Sequence, residues 1–262
     1  MFRQKSVILI FFGIFAFTTI EAVKKKGKEI AESSYDPNKI WRIFTAKDVD
    51  NEKEVEYRIQ NIPDTQFDTV VDFMMSHYFN TEPIYKGKGI RGGEEHIESW
   101  LEDLRANMSV ACYNHLNELV GVLILVMEEQ KKPSKGEKIL EKFKSEKEKS
   151  KSKATQETSK QHEFFIDAYN VYKEYEVDRF LTDDGLIVAP LYRDKGIEKE
   201  LLEVIKPICM AHGIEVYTGI FTSDPMNELA DKLGFKIKKQ IGLKKKKINA
   251  KLMTIRSIKY KH

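Results

Sequence analysis

The sequence has almost no excess of charge of either sign. Its 44 Lys and Arg offset 41 Asp and Glu, leaving a formal net charge of +3. The two signs are interleaved, so no broad basic face for nucleic acid is visible. Cysteine is scarce: Cys112 and Cys209 are the only two. At most one disulfide can form, and no Cys/His spacing suits zinc or another metal. Cys112 lies in a strand-like apolar run and Cys209 in a helix-like one, so two buried thiols fit as well as one disulfide. No internal repeat is evident. The apolar run Val7 to Phe17, broken by Gly13 and reaching at most Ile20, is short for a bilayer-spanning helix of ~20 residues.

That run has the shape of a targeting segment. Arg3 and Lys5 precede it, and Ala22 is a small residue before a cut. Residues 1–22 therefore read as a secretory signal peptide, with an uncleaved signal anchor as the alternative. The expected location is secreted or in the lumen of the secretory pathway, without a stable membrane span once the signal is removed. The sequon Asn107-Met108-Ser109 accords with that location. Residues 23–39 are polar and read as a linker, with Asp36-Pro37-Asn38 as a turn. Residues 128–161 are Lys, Glu, Ser and Gln with few apolar positions. They read as a low-complexity insertion, either a solvated linker or a polybasic contact segment.

The remaining chain, 40–262, alternates strand and helix patterns. Strand candidates are 40–45, 54–60, 109–113, 119–127, 180–188, 214–221, 235–240 and 252–258. Val120 to Val126 is almost continuously apolar, as in a strand buried on both faces. In one helix, capped by Asp64, Phe67, Val70, Val71, Met74, Met75 and Tyr78 recur at helical spacing, and it ends near Thr81-Glu82-Pro83. Further helices are expected at 94–106, 163–175, 196–212 and 225–233. The pattern predicts an α/β (α+β) domain around a mixed sheet of about seven strands.

The most informative stretch is Leu186 to Leu202, LIVAPLYRDKGIEKELL. A strand feeds a short loop, and a helix starts at once. First-turn amides without intrahelical partners favour anions. This segment resembles the acetyl-CoA signature of the GNAT superfamily, R/Q-x-x-G-x-G/A, here Arg193-Asp194-Lys195-Gly196-Ile197-Glu198. The last position departs from the pattern, since the family has Gly or Ala where this chain has Glu198. Tyr57 to Pro83 is similar to the first strand and helix of insect arylalkylamine N-acetyltransferases, with Thr81-Glu82-Pro83 at its end. Leu119-Val120-Gly121-Val122 looks like the family's central strand. Thr222 to Phe235 looks like its final helix, ending Lys232 to Phe235. The resemblance covers roughly 55 to 240 and implies a GNAT-type, mostly antiparallel sheet flanked by helices.

The resemblance also implies a chemistry: acetyl-CoA-dependent transfer to a small amine, with an arylalkylamine as the candidate. Glu82 would be the general base, directly or through water. Ile187, Val188, Arg193, Asp194, Lys195, Gly196, Ile197 and Glu198 would receive the cofactor, with an amide near Val188 as oxyanion donor. Thr222 matches the first of two hydroxyl positions in the subfamily, and Met226 the second. Thr222 is also a candidate helix cap, and Tyr217 a further proton donor or a plain strand residue. The aromatic residues Phe73, Tyr78, Phe79 and Tyr85 either line an amine pocket or fill the core. Glu198 sets one carboxylate against the cofactor's phosphates, about 3 kcal/mol at ~5 Å and an effective dielectric near 20. A catalytically inactive GNAT-fold binding protein is therefore the alternative reading.

Overall fold

A computed structural model describes residues 35–51, 53–86, 92–130, 169–242 and 252–261. Residues 1–22, read as a signal, and most of the 128–161 insertion lie outside the described residues. The chain divides into residues 1–37 and a compact unit, residues 38–262. Among the described residues every strand and helix belongs to the second unit.

Eight strands form one sheet in the order β1-β2-β3-β4-β5-β6-β8-β7. They are β1 (Ile40–Lys47), β2 (Glu54–Asn61), β3 (Val110–Tyr113), β4 (Leu119–Glu129), β5 (Arg179–Val188), β6 (Val216–Phe221), β7 (Lys236–Gly242) and β8 (Leu252–Lys259). All neighbours pair antiparallel except β5 and β6. The sheet thus has one more strand than the seven expected. β4 is central and buried from Val120 to Leu125. Leu123 and Leu125 face one apolar cluster, Val122 and Ile124 the other. Its alternate side chains serve both faces, which is why it reads as a continuous apolar run.

Helices α1 (Phe67–Thr81), α2 (Pro83–Lys86) and α3 (Glu94–Arg105) cover one face. α1 buries Phe67, Val70, Val71, Met74 and Phe79, close to the predicted stripe. Asp64 does not cap it; Asp64–Gln66 form a 3-10 turn that leads in. The predicted end holds: Glu82 is extended, φ −63 and ψ 118, because Pro83 disfavours helix at the preceding residue. Of the helix expected at 163–175, α4 (Val171–Tyr175) is described.

The helix expected at 196–212 is two: α5 (Ile197–Glu203) and α6 (Ile205–Ala211), parted at Val204. Pro207 has no N–H for the Glu203 carbonyl, and its ring crowds that carbonyl. α7 (Asp224–Lys232) follows β6. Arg256, 2% exposed, ties α7 to β8. Its guanidinium donates to both oxygens of Asp231, and its Nε to Asn227 Oδ1 and Thr254 Oγ1 at 3.0 and 2.9 Å.

Both cysteines are buried free thiols; burial, the largest cause, pushes each up to about 12. Asn107 takes a left-handed turn, φ 59, just past α3, a conformation Asn tolerates at a helix end. The hydroxyl of buried Ser109 accepts the Leu125 N–H at 3.0 Å. The sequon residues thus serve the fold. Among the described residues no helix is long and apolar enough to cross a membrane.

Candidate active site

β5 and β6 pair in parallel at one register position, Leu181 with Tyr217. Beyond it a cleft of about 700 Å³ opens, lined by β5 from Asp183 to Val188 and by β6 at Ile220 and Phe221. Ala189 N–H donates to Val120 O at 2.9 Å, and Val188 stands opposite Gly121 on β4. Amides alternate sides along an antiparallel ladder, so those of Val188 and Leu186 point away from β4, towards the cleft. A bulge at Asp184, between Gly185 opposite Ile124 and Asp183 opposite Leu125, bends β5 at the inner end. Gly185 permits it: φ is +142, and a Cβ would lie 2.9 Å from Met74 Cε.

The turn after β5 forms the outer end. Asp194 (φ 62) and Gly196 (φ 80) are both left-handed, leading directly into α5. Arg193, Asp194, Gly196 and Glu198 line the cleft with Ile187 and Val188. The other two expected cofactor residues do not. Lys195 reaches away, its Nζ donating to Asp48 O at 3.1 Å. Ile197 is fully buried in the core. Arg193 donates to Thr81 Oγ1 at 2.8 Å, joining the turn to the end of α1. Burial, the largest cause, holds the Glu198 carboxyl above its usual range, while a hydrogen bond from its own backbone opposes the rise. Asp194 raises it further and Arg193 lowers it.

Glu82, between α1 and α2, Thr222, between β6 and α7, and Met226, on α7, line the same cleft. Thr222 is buried and does not cap α7. Ser223 does, accepting the Met226 N–H at 3.4 Å. Tyr78 and Tyr85 also line the cleft. Phe79 instead packs in the core with Trp100 and His96, and Phe73 against His77.

The sequence reading missed the inner end. Asp183 Oδ1 accepts the Tyr217 hydroxyl at 2.5 Å. Burial pushes the Asp183 carboxyl up to about 6, with that bond and a backbone bond pulling against it. The Asp184 carboxyl is hydrogen-bonded to that of Asp103, and burial followed by the charges of Asp103 and Asp183 holds it well above the usual range. The available signal was Gly219, a glycine inside an apolar strand. A Cβ there would stand 2.5 Å from the Tyr217 hydroxyl and 2.9 Å from Asp183 Oδ1. No group of three His, Cys, Asp or Glu able to hold a metal occurs among the described residues.

A base candidate, inward amides, hydroxyls and a left-handed turn around one cleft suit acyl transfer. No protein-family model matches the chain, and no curated protein matches it in sequence. Solved structures do. A protein of the yellow fever mosquito assigned as arylalkylamine N-acetyltransferase 7 superposes with a TM-score of 0.73 at 23% identity, covering 86% of this chain and 97% of that one. Arylalkylamine N-acetyltransferase 2 of Aedes aegypti gives 0.69 at 18%, covering 78% and 99%. A polyamine N-acetyltransferase of Drosophila melanogaster gives 0.64 at 14%, covering 78% and 99%. At these identities the likeness is one of fold: the chain has the GNAT acetyltransferase fold, with the insect arylalkylamine N-acetyltransferases among its structural neighbours.

Proposed function

We propose that the protein is an acetyl-CoA-dependent N-acetyltransferase that acts on a small amine by direct transfer. The observation that carries this reading is the parting of β5 from β6 beyond Leu181 and Tyr217. It turns the Leu186 and Val188 amides towards a cleft shared by Glu82 and the Arg193–Glu198 turn. The neighbours named above as acetyltransferases support acyl transfer in general.

Bound acetyl-CoA would supply a thioester carbon, which the amine attacks as the carbon–sulfur bond breaks. The residues with which to hold it are Ile187, Val188, Arg193, Asp194, Gly196 and Glu198, with Lys195 and Ile197 keeping the turn in place from behind. Glu82 takes the proton that the amine must lose. The Val188 or Leu186 amide donates to the carbonyl oxygen as charge gathers there. Thr222, in the lining of the cleft, returns a proton to the departing sulfur.

A second reading, a GNAT-fold binding protein without catalysis, is favoured by Glu198. Its carboxyl sits at the anion-binding turn and takes up a backbone N–H there. Calorimetric titration of acetyl-CoA separates the two. Micromolar binding, with turnover lost but binding kept in Glu82→Ala, supports the enzyme. No binding at millimolar cofactor overturns it.

We also propose that residues 1–22 direct the chain into the secretory pathway. The test is the N-terminal sequence of protein released from expressing cells, expected to begin near Val23.

A further inference from the structure

The turn after β5 is where the diphosphate of a coenzyme A thioester would lie, and its charges suit that group poorly. Asp194 and Glu198 line the cleft there. The Glu198 carboxylate accepts its own backbone N–H, so it takes up an amide of the kind with which such a turn holds phosphate. The cations of the turn are drawn elsewhere. Lys195 is not in the cleft lining, its Nζ donating to Asp48 O at 3.1 Å. Lys199 is in the lining but pairs with Glu200 at 3.2 Å and Glu203 at 3.5 Å. Arg193 donates to Thr81 Oγ1 at 2.8 Å, a neutral partner that leaves its charge in place. It faces the two carboxylates of Asp194 and Glu198. Lys232, the other cation of the lining, stands on α7 and not on the turn.

A phosphate charge about 5 Å from a carboxylate lowers affinity roughly a hundredfold at an effective dielectric near 20. Arg193 offsets part of that loss, so the diphosphate is left with little net attraction. Uncharged groups line the same cleft. Leu186, Ile187 and Val188 come from β5, Leu202 from α5, Phe221 from β6 and Leu229 from α7. Beyond Leu181 and Tyr217 the strands β5 and β6 no longer pair. The main-chain groups of β5 on that side are then open to the amides of an extended chain, as at any sheet edge that receives a strand. An arm of amides and methylene groups without charge fits such an edge and its apolar walls.

We infer that the cleft recognises its thioester donor by the pantetheine arm alone: acyl thioesters of pantetheine without the nucleotide serve as well as acetyl-CoA, and Glu198 is the residue that cancels the contribution of the diphosphate. The reaction of such a donor rests on the acyl-transfer reading above; its binding does not. In the transfer, the amine nitrogen bonds to the thioester carbon and the carbon–sulfur bond breaks. Pantetheine leaves as its thiol, with the proton that the amine gives up in balance.

The test is calorimetric titration of the full chain with coenzyme A and with pantetheine. Wild type is expected to bind the two within about threefold of each other. Glu198→Gln is expected to bind coenzyme A at least tenfold more tightly than pantetheine, with its pantetheine affinity unchanged. A wild-type preference for coenzyme A above threefold overturns the inference, and so does the absence of binding by both thiols. A Glu198→Gln variant that keeps the wild-type ratio overturns the part assigned to Glu198. Turnover is measured separately, with acetyl-CoA and S-acetylpantetheine as donors and tryptamine or pentylamine as acceptor. Their kcat/KM values are expected within about threefold, and a larger preference for acetyl-CoA counts against the inference. If both thiols bind as expected and neither donor is turned over, the acyl-transfer reading fails and recognition of the arm stands. Should Glu198→Gln fail to fold, the wild-type ratio of coenzyme A to pantetheine decides alone.

Discussion

Replacing Glu198 with Gln removes one negative charge from the turn where the cofactor's diphosphate would sit, and leaves side-chain size unchanged. Glu198 lines the cleft beside Arg193, Asp194 and Gly196. A carboxylate about 5 Å from a phosphate charge costs about 3 kcal/mol at an effective dielectric near 20. Unopposed, that is a factor of roughly 100 in affinity. Arg193 and Lys199 line the same cleft, and their positive charges take back part of the cost, so a ten- to hundredfold gain is expected. Some helix stability is lost, because an acidic residue in a first turn contributes about 0.3–1 kcal/mol. The assay is calorimetric titration of coenzyme A into wild type and Glu198→Gln at neutral pH. Wild type carries an internal control. Burial holds the Glu198 carboxyl above its usual range, and the neutral form repels phosphate less. Wild-type affinity therefore rises as pH falls towards that raised pKa, and the Glu198→Gln variant lacks this component. Equal affinities for the two proteins, with the same pH dependence, would refute the reasoning and place the diphosphate elsewhere.

Glu82→Ala is expected to lower kcat by about 10²–10⁴, the usual worth of a positioned base, with coenzyme A affinity unchanged by calorimetry. Burial raises the Asp183 carboxyl to about 6. Because the folded pKa lies above the ordinary 3.8, the contribution of Asp183 to stability is complete below about 3.8 and is lost as pH rises through about 6. Asp183→Asn should therefore raise Tm at pH 8 and not at pH 4. Arg256→Ala removes a buried side chain that holds Asn227 and Thr254, so urea unfolding should show a loss of about 1–3 kcal/mol, the cost of leaving buried polar groups without that partner. Cys112 and Cys209, both buried with thiols pushed up to about 12, should stay unreactive to a thiol reagent in the native protein and react together in urea.

The parts of the fold legible in the sequence are those governed by near neighbours. Val120 to Leu125 reads as a buried strand because each alternate side chain meets a core. α1 ends at Thr81, where Pro83 disfavours helix at the preceding residue, and Glu82 just beyond it lines the cleft. Pro207 carried the same kind of local signal. Its break in the 196–212 helix was readable, but the apolar spacing on either side masked it. The choice between Thr222 and Ser223 as the cap of α7 was not readable. Two adjacent hydroxyls have the same chemistry, and the chain direction leaving β6 selects Ser223.

The inner cleft was illegible for a different reason. Asp183 and Tyr217 are separated by 34 residues, on strands that pair at one position and then part. Nothing local to either residue encodes that parting. Arg193 shows the same limit from the other side. Its motif assigns it to the cofactor turn, while its guanidinium reaches Thr81, 112 residues away. That contact ties the turn after β5 to the segment that carries Glu82. The hydrogen bond from Arg193 to Thr81 must break for the turn and Glu82 to separate. Arg193 and Thr81, each readable only as part of its own segment, thus meet in a contact that exists only once the sheet has brought the two segments together.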